Sequence, residues 1–469
     1  MSLHRTLVPV LLAVLALASE AASAGDGGIR LGFGEVPGYT AYNIAGQSYI
    51  DVAAAASSRF DRTWVFIEGH PMSQQLHVAR IFSASGLLDT GFGPGMDGRR
   101  SVTLPAPLAG PAVNGAIAQD DGMVLAYGRL REAIDGDYAG FICRFTASGA
   151  LHAAYGSSGC VLIRSMIAGN ESLEVTDVAI DGFGRAVLTG FYQALGQEPP
   201  VVERRFLARL TENGTPDLEF AGGAAFLTLP QWTDHSDYHR PAAVRIDAQG
   251  RIVLLSTVSL HWQSSDYDLL LQRFDDGGSP DPGFASNGTR VISFDVPGDL
   301  ADSGRDLELL ADGRLLVLGR AGGNAPKIAL VRFDADATQI DPGFNGGAVR
   351  IEEQPSPLPL DPAELVVDDL GRSYIVAEGG TFPLRQQWVL RHRDDGLPDP
   401  DFGDQGRTEI TGQALTGDAT LNAFRIVHAT LVGRTQLLVT CTLNADDILA
   451  KRAFHYALGA EGLFRDGFD

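Results

Sequence analysis

The chain has 469 residues, with 58 acidic side chains against 36 basic ones and a formal net charge of −22. A chain this acidic has no electrostatic reason to approach nucleic acid or an anionic membrane surface. Its three cysteines, Cys143, Cys160 and Cys441, are too few to organise a fold of this length.

In chain order, residues 1–24 carry a basic start (His4, Arg5), an apolar run over 7–18 and an Ala22-Ser23-Ala24 ending. That pattern predicts a cleaved signal peptide, with residues 25–469 forming the mature protein in a secreted, periplasmic or cell-surface setting. The apolar run is too short to cross a bilayer comfortably. No later segment approaches 18 uninterrupted apolar residues, so no transmembrane segment is expected in the mature chain.

The remainder is organised by one recurring stretch. Arg209, Gly214, Asp217 and Phe220 recur at the same spacing as Arg273, Gly278, Asp281 and Phe284, and as Arg391, Gly396, Asp399 and Phe402. Arg80, Asp89, Phe92 and Arg332, Asp341, Phe344 carry one extra residue, while Arg144 and Gly149 are followed by His152 and Tyr155. Degenerate copies stand at Gly27, Arg30, Phe33 and at Gly462, Arg465, Phe468. The aromatics at 33, 92, 155, 220, 284, 344, 402 and 468 leave seven intervals of about 62 residues. A period near sixty is too long for a solenoid coil and fits a blade of four short strands. The unit after Phe220 shows four strand signals, over 225–229, 243–246, 251–256 and 269–274. The third reads Ile252-Val253-Leu254-Leu255, apolar without alternation, as in a strand covered on both faces. The expected fold is all-β, a seven-bladed β-propeller of four-stranded antiparallel blades, closed by a strand near 39–44 that completes the last blade.

The repeated residues read as structural. Asp281 can accept amide hydrogen bonds within its own turn, the glycines supply positive φ, and Phe284 fills the space between neighbouring sheets. A ring of calcium-binding carboxylates is the competing reading. No D-x-[DN]-x-[DN]-G loop is present, and His152 and Arg465 replace Asp in two copies, so no metal is expected. Acidic pairs such as Asp275-Asp276 and Asp394-Asp395 read as solvated turn residues. Cys143 and Cys160 flank the loop of the Tyr155 copy, where pairing of their strands would permit a disulfide, with Cys441 left as a buried thiol.

The motif resembles the delta-60 repeat, a β-propeller-like repeat of bacterial proteins, and the resemblance spans about nine tenths of the chain. It implies a propeller and a secreted or surface setting, and brings no established activity.

Lettering the strands of a unit d, A, B and C, with d after each aromatic, puts the A-to-B turns and the C-to-d loops on one face of the ring. They are short, acidic and alike. The d-to-A and B-to-C connections share the other face and differ in every unit: 127–140, 191–204, 231–240, 295–305 and 354–363. Variable loops on a repeated scaffold are where binding usually resides. One unit concentrates Trp232, Asp234, His235, Asp237 and His239 in its first such loop, with His261 and Trp262 in the next. Two stacking faces with His and Asp are what a sugar site uses. Linear catalytic signatures are missing: no H-E-x-x-H, G-x-S-x-G or phosphate-binding loop occurs in residues 25–469. The expected function is binding or scaffolding of a protein or carbohydrate partner by a monomer without cofactor or named catalytic residue. An extracellular propeller hydrolase or lyase acting on polysaccharide is the alternative, and it would gather carboxylates, His or Arg from three or more blades around one pocket.

Overall fold

The computed structural model describes residues 28–30, 33–35, 39–42, 51–68, 73–131, 137–167, 171–194, 203–230, 239–259, 266–294, 296–297, 299–323, 325–352, 359–380, 386–411, 414, 421–433, 436–445 and 452–459. They form seven four-stranded antiparallel sheets arranged in a ring, a seven-bladed β-propeller. The inner strands, which define blades one to seven, are Asp51–Ser58, Ala109–Ala118, Glu171–Ile180, His239–Ile246, Ser303–Leu309, Leu360–Val367 and Leu421–Val432. Blade four continues outward through Ile252–Ser259, Tyr267–Phe274 and Thr289–Ile292. Every residue of its second strand is buried, which explains the absence of alternation there.

The sequence unit and the blade are offset by one strand. Phe226–Thr228 follows Phe220 but pairs with Arg204–Leu210, so it is the outer edge of blade three. This offset closes the ring: Tyr39–Tyr42 pairs with Arg452–Gly459 as the outer strand of blade seven.

Blade junctions show what the motif is for. Asp281 uses one carboxylate oxygen to accept the Gly283 amide at 2.9 Å and the other to accept Arg273 Nε at 2.7 Å. The Arg273 guanidinium lies 4.6 Å over the Phe284 ring and reaches across to the next blade, donating to the Ala335 carbonyl and the Asp336 carboxylate. Arg209 bridges to Asp276 and Arg332 to Asp394 in the same way. Asp276 and Asp394 are half-exposed turn residues, as read from the sequence, and they also tie adjacent blades together. The turn that receives the arginine carries a glycine for two reasons. Gly278 has φ +87°, and a Cβ there would stand 2.8 Å from the Phe220 ring of the preceding unit. The Tyr155 copy departs locally: with His152 in place of Asp, Arg144 turns to Gln119 and Asp121 of its own blade while still donating to the Glu212 carbonyl of the next.

Between blades seven and one the wedge comes from the other end of the chain. The Arg30 amide donates to the Ala457 carbonyl at 2.9 Å, as the Asp281 amide does to Arg273, and Phe33 is buried beneath Gly86. The Phe468 copy lies outside the described residues. Cys143 and Cys160, directly opposite on the third and fourth strands of blade two, form a disulfide, and Cys441 is a buried free thiol. Among the described residues no helix is long and apolar enough to cross a membrane.

Candidate functional site

Each inner strand breaks register at the same place, with one extra residue: Ala53, Asn114, Thr176, Ala242, Arg305, Ala363 and Val427. A bulge re-aims the next side chain. Here the next residues are Ala54, Gly115, Asp177, Ala243, Asp306, Glu364 and His428, at one level of the ring.

The polar members of that set stitch neighbouring inner strands across a bore of about 1030 Å³. Asp177 accepts the amides of Val178 (2.9 Å) and of Val244 in the next blade (2.8 Å), together with Arg245 and the Tyr127 hydroxyl. Asp306 accepts Leu307 (2.8 Å), Leu365 of the next blade (3.0 Å) and Arg245 (2.6 Å). Glu364 accepts the Ala429 amide (2.7 Å) and His428 Nδ1 (2.9 Å). Gly115 is a spatial requirement, since a Cβ there would lie 2.1 Å from the Tyr127 hydroxyl.

Burial pushes the Asp306 and Glu308 carboxyls up, with Arg245 pulling the other way. For Arg245, burial disfavours the charge, and Asp306, Asp177 and Glu308 more than offset it, so its pKa rises. The Tyr127 hydroxyl is likewise raised, first by burial and then by Asp177. Glu308 still shows 31% of its side chain, so solvent screens these interactions.

A second space, of about 820 Å³, opens on the face of the long variable connections. It meets the bore at Ala242, Arg305 and Ala363. Three blades line it with Arg240, Arg305, Arg320 and Arg425, beside Tyr267 of blade four and Asp361 and Glu378 of blade six. Arg305 donates to Asp361 at 2.7 Å, while Arg320 lies 3.8 Å from the other oxygen of the same carboxylate. Arg240 grips Glu203 in a two-pronged pair at 2.9 and 3.1 Å.

Of the sequence-derived cluster, Trp232, Asp234, His235, Asp237, His261 and Trp262 lie outside the described residues. His239 is placed only as backbone, opposite Val258 at the start of the inner strand. The stems of both loops are placed: Ser259 pairs with Tyr267 one step from the His239 to Val258 pair, so the two loops leave blade four side by side next to Arg240 and Tyr267 of the opening. The bore residues were not found from the sequence. Their one signal is a charged residue where sister units have Ala or Gly after the bulge. Among the described residues no group of His, Cys, Asp and Glu is arranged to hold a metal ion.

No protein-family model matches the chain, and no curated protein sequence does. Solved structures do match in fold. A polysaccharide lyase, Uly1, aligns over 90% of this chain and 94% of its own with a TM-score of 0.51 and 10% identity. A protein of unknown function from Dyadobacter fermentans aligns over 91% and 100% at 0.44 and 13%, and a PL25 ulvan lyase over 89% and 96% at 0.47 and 11%. At these identities the likeness is one of architecture, and the chain shares the propeller fold.

Proposed function

We propose that this protein is a secreted or surface-exposed binding propeller that takes an acidic glycan at the mouth of its bore, on the face of the variable loops. The supporting observation is the convergence of Arg305 and Arg320 on the single carboxylate of Asp361, flanked by Arg240 and Arg425. Arg320 also donates to the Gly322 and Gly323 carbonyls, yet two guanidinium groups sharing one carboxylate leave positive charge for a second anion, and planar guanidinium forks match uronate carboxylates. The setting rests on the signal-like residues 1–24, and Trp232 and Trp262, in loops whose stems border this opening, would supply stacking faces. The delta-60 likeness of the repeat agrees with a surface scaffold and adds no activity.

The polysaccharide hydrolase or lyase alternative draws on the titratable residues that six blades contribute to the bore. Asp177 and Asp306 already bind backbone amides of two inner strands each, which favours binding over hydrolysis or elimination of a polysaccharide.

Calorimetric titration with an oligogalacturonate and with a neutral oligosaccharide of equal length tests the reading. Binding of the acidic ligand alone, weakened at least about tenfold in an Arg305→Gln/Arg320→Gln variant that melts normally, is expected. Equal binding of both sugars, or an unaffected double variant, would overturn it.

A further inference from the structure

One junction in the ring is built differently from the other six. In every blade the A-to-B hairpin contains a directly opposed pair six residues apart, four positions after the bulge, of which Ser57 and Thr63 are the pair in blade one. The first member elsewhere is Ala118, Ile180, Ile246, Leu309, Val367 or Leu431. Packing between blades calls for an apolar side chain here, and blade one alone places a hydroxyl.

That hydroxyl meets a histidine. Ser57 Oγ lies 3.4 Å from His428 Nε2 of blade seven, and His428 Nδ1 lies 2.9 Å from Glu364 Oε1 of blade six. The other oxygen of Glu364 is fixed by the Ala429 amide, so the carboxylate cannot swing away from the ring. As a carboxylate it can only accept, which puts the imidazole proton on Nδ1 and leaves Nε2 as the acceptor facing Ser57. Behind the serine, Thr63 Oγ1 lies 2.9 Å from Ser57 Oγ and 2.8 Å from Ser83 Oγ, so the hydroxyls can donate in one direction toward the histidine. Glu364 and His428 line the bore, and Ser57 is partly exposed.

We infer that Ser57, His428 and Glu364 form a nucleophile, base and orienter for acyl transfer in the bore, acting on esters of short acyl chains such as acetyl esters. This goes beyond glycan binding at the mouth. A nucleophile, a base within hydrogen-bond reach and a third group orienting the base is the arrangement that activates serine, and the contact is commonly longer before substrate binds. Ser57 Oγ attacks the ester carbonyl carbon as its proton passes to His428 Nε2. The ester C–O bond then breaks and the departing alkoxide takes that proton. Water, deprotonated by Nε2, attacks the acyl-serine; the Oγ–acyl bond breaks, the carboxylic acid leaves and the proton returns to Ser57.

The experiment is labelling of the intact protein with a fluorophosphonate, read by peptide mass spectrometry, beside hydrolysis of 4-nitrophenyl acetate. The expected result is one adduct on Ser57, with labelling and hydrolysis reduced at least about a hundredfold in Ser57→Ala and in His428→Ala. Ser57→Ala should melt like the parent because blade two carries alanine at this place, and its binding of the acidic glycan should not change. Absence of an adduct on the parent protein, an adduct elsewhere, or hydrolysis undiminished in Ser57→Ala overturns the assignment.

Discussion

Arg273 is 2% exposed and touches three things at once: the carboxylate of its own turn, the face of its own aromatic and the next blade. Phe284 beneath it is wholly buried. Phe284→Ala should therefore cost about 3 to 5 kcal/mol in chemical denaturation, and a loss below about 1 kcal/mol would show that the wedge is dispensable. The Asp, Gly and Phe of the motif were legible because their demands are local, a turn and a space beside it. The arginine's second role was not, since Asp336 lies 63 residues further on, and only a fold brings it close. A second buried pair joins blades five and six: Glu352 accepts His392 Nε2 at 2.7 Å and Arg350 Nε at 2.6 Å. Burial alone would raise the Glu352 pKa, and these two partners outweigh it and bring it to about 2. Its folded pKa thus lies below its unfolded one, so the stability it contributes is complete above about pH 4.5 and is lost as pH falls toward 2. Glu352→Gln should accordingly be less stable than the parent near neutral pH, with the gap narrowing through that window in denaturation curves; a gap independent of pH would refute the linkage.

At the scale of elements, the bulge repeated in seven inner strands matters most. In five blades it places Gly115, Asp177, Asp306, Glu364 and His428 along the bore, while the equivalent Ala54 and Ala243 are buried in the packing between blades. No single unit announces this, because Asp177, Asp306, Glu364 and His428 occur once each, amid sister units with Ala or Gly. The strand pattern itself was readable from apolar runs and turn residues, with bounds differing by a few residues: 243–246 is the end of His239–Ile246, and 251–256 is most of Ile252–Ser259. The closing strand was readable too, from the leftover motif copy ahead of it. Phe33 and Tyr39–Tyr42 together supply the seventh wedge and the seventh outer strand. Deleting residues 25–45 should lower the melting temperature sharply, and an unchanged melt would mean that blade seven holds without them.

For the molecule as a whole, the two faces divide the work. One face carries short acidic turns that lock blade to blade; the other carries the variable connections and an arginine-lined opening in an otherwise acidic protein. Architecture was legible because repetition states it seven times. The sites were not, because a bore is assembled from residues of different blades that the sequence keeps far apart. Closure has a further consequence, concerning time. The Val52 amide of blade one bonds to Thr442 of blade seven, 390 residues later, and Tyr39–Tyr42 pairs only with the last described strand. At ribosomal speeds of about 5 to 20 residues per second, the first-made segment waits on the order of 20 to 80 s for a partner that does not yet exist. The ring is thus a fold that a growing chain cannot finish early, and a chain kept open until its last strand is made is one that can still be threaded through an export channel.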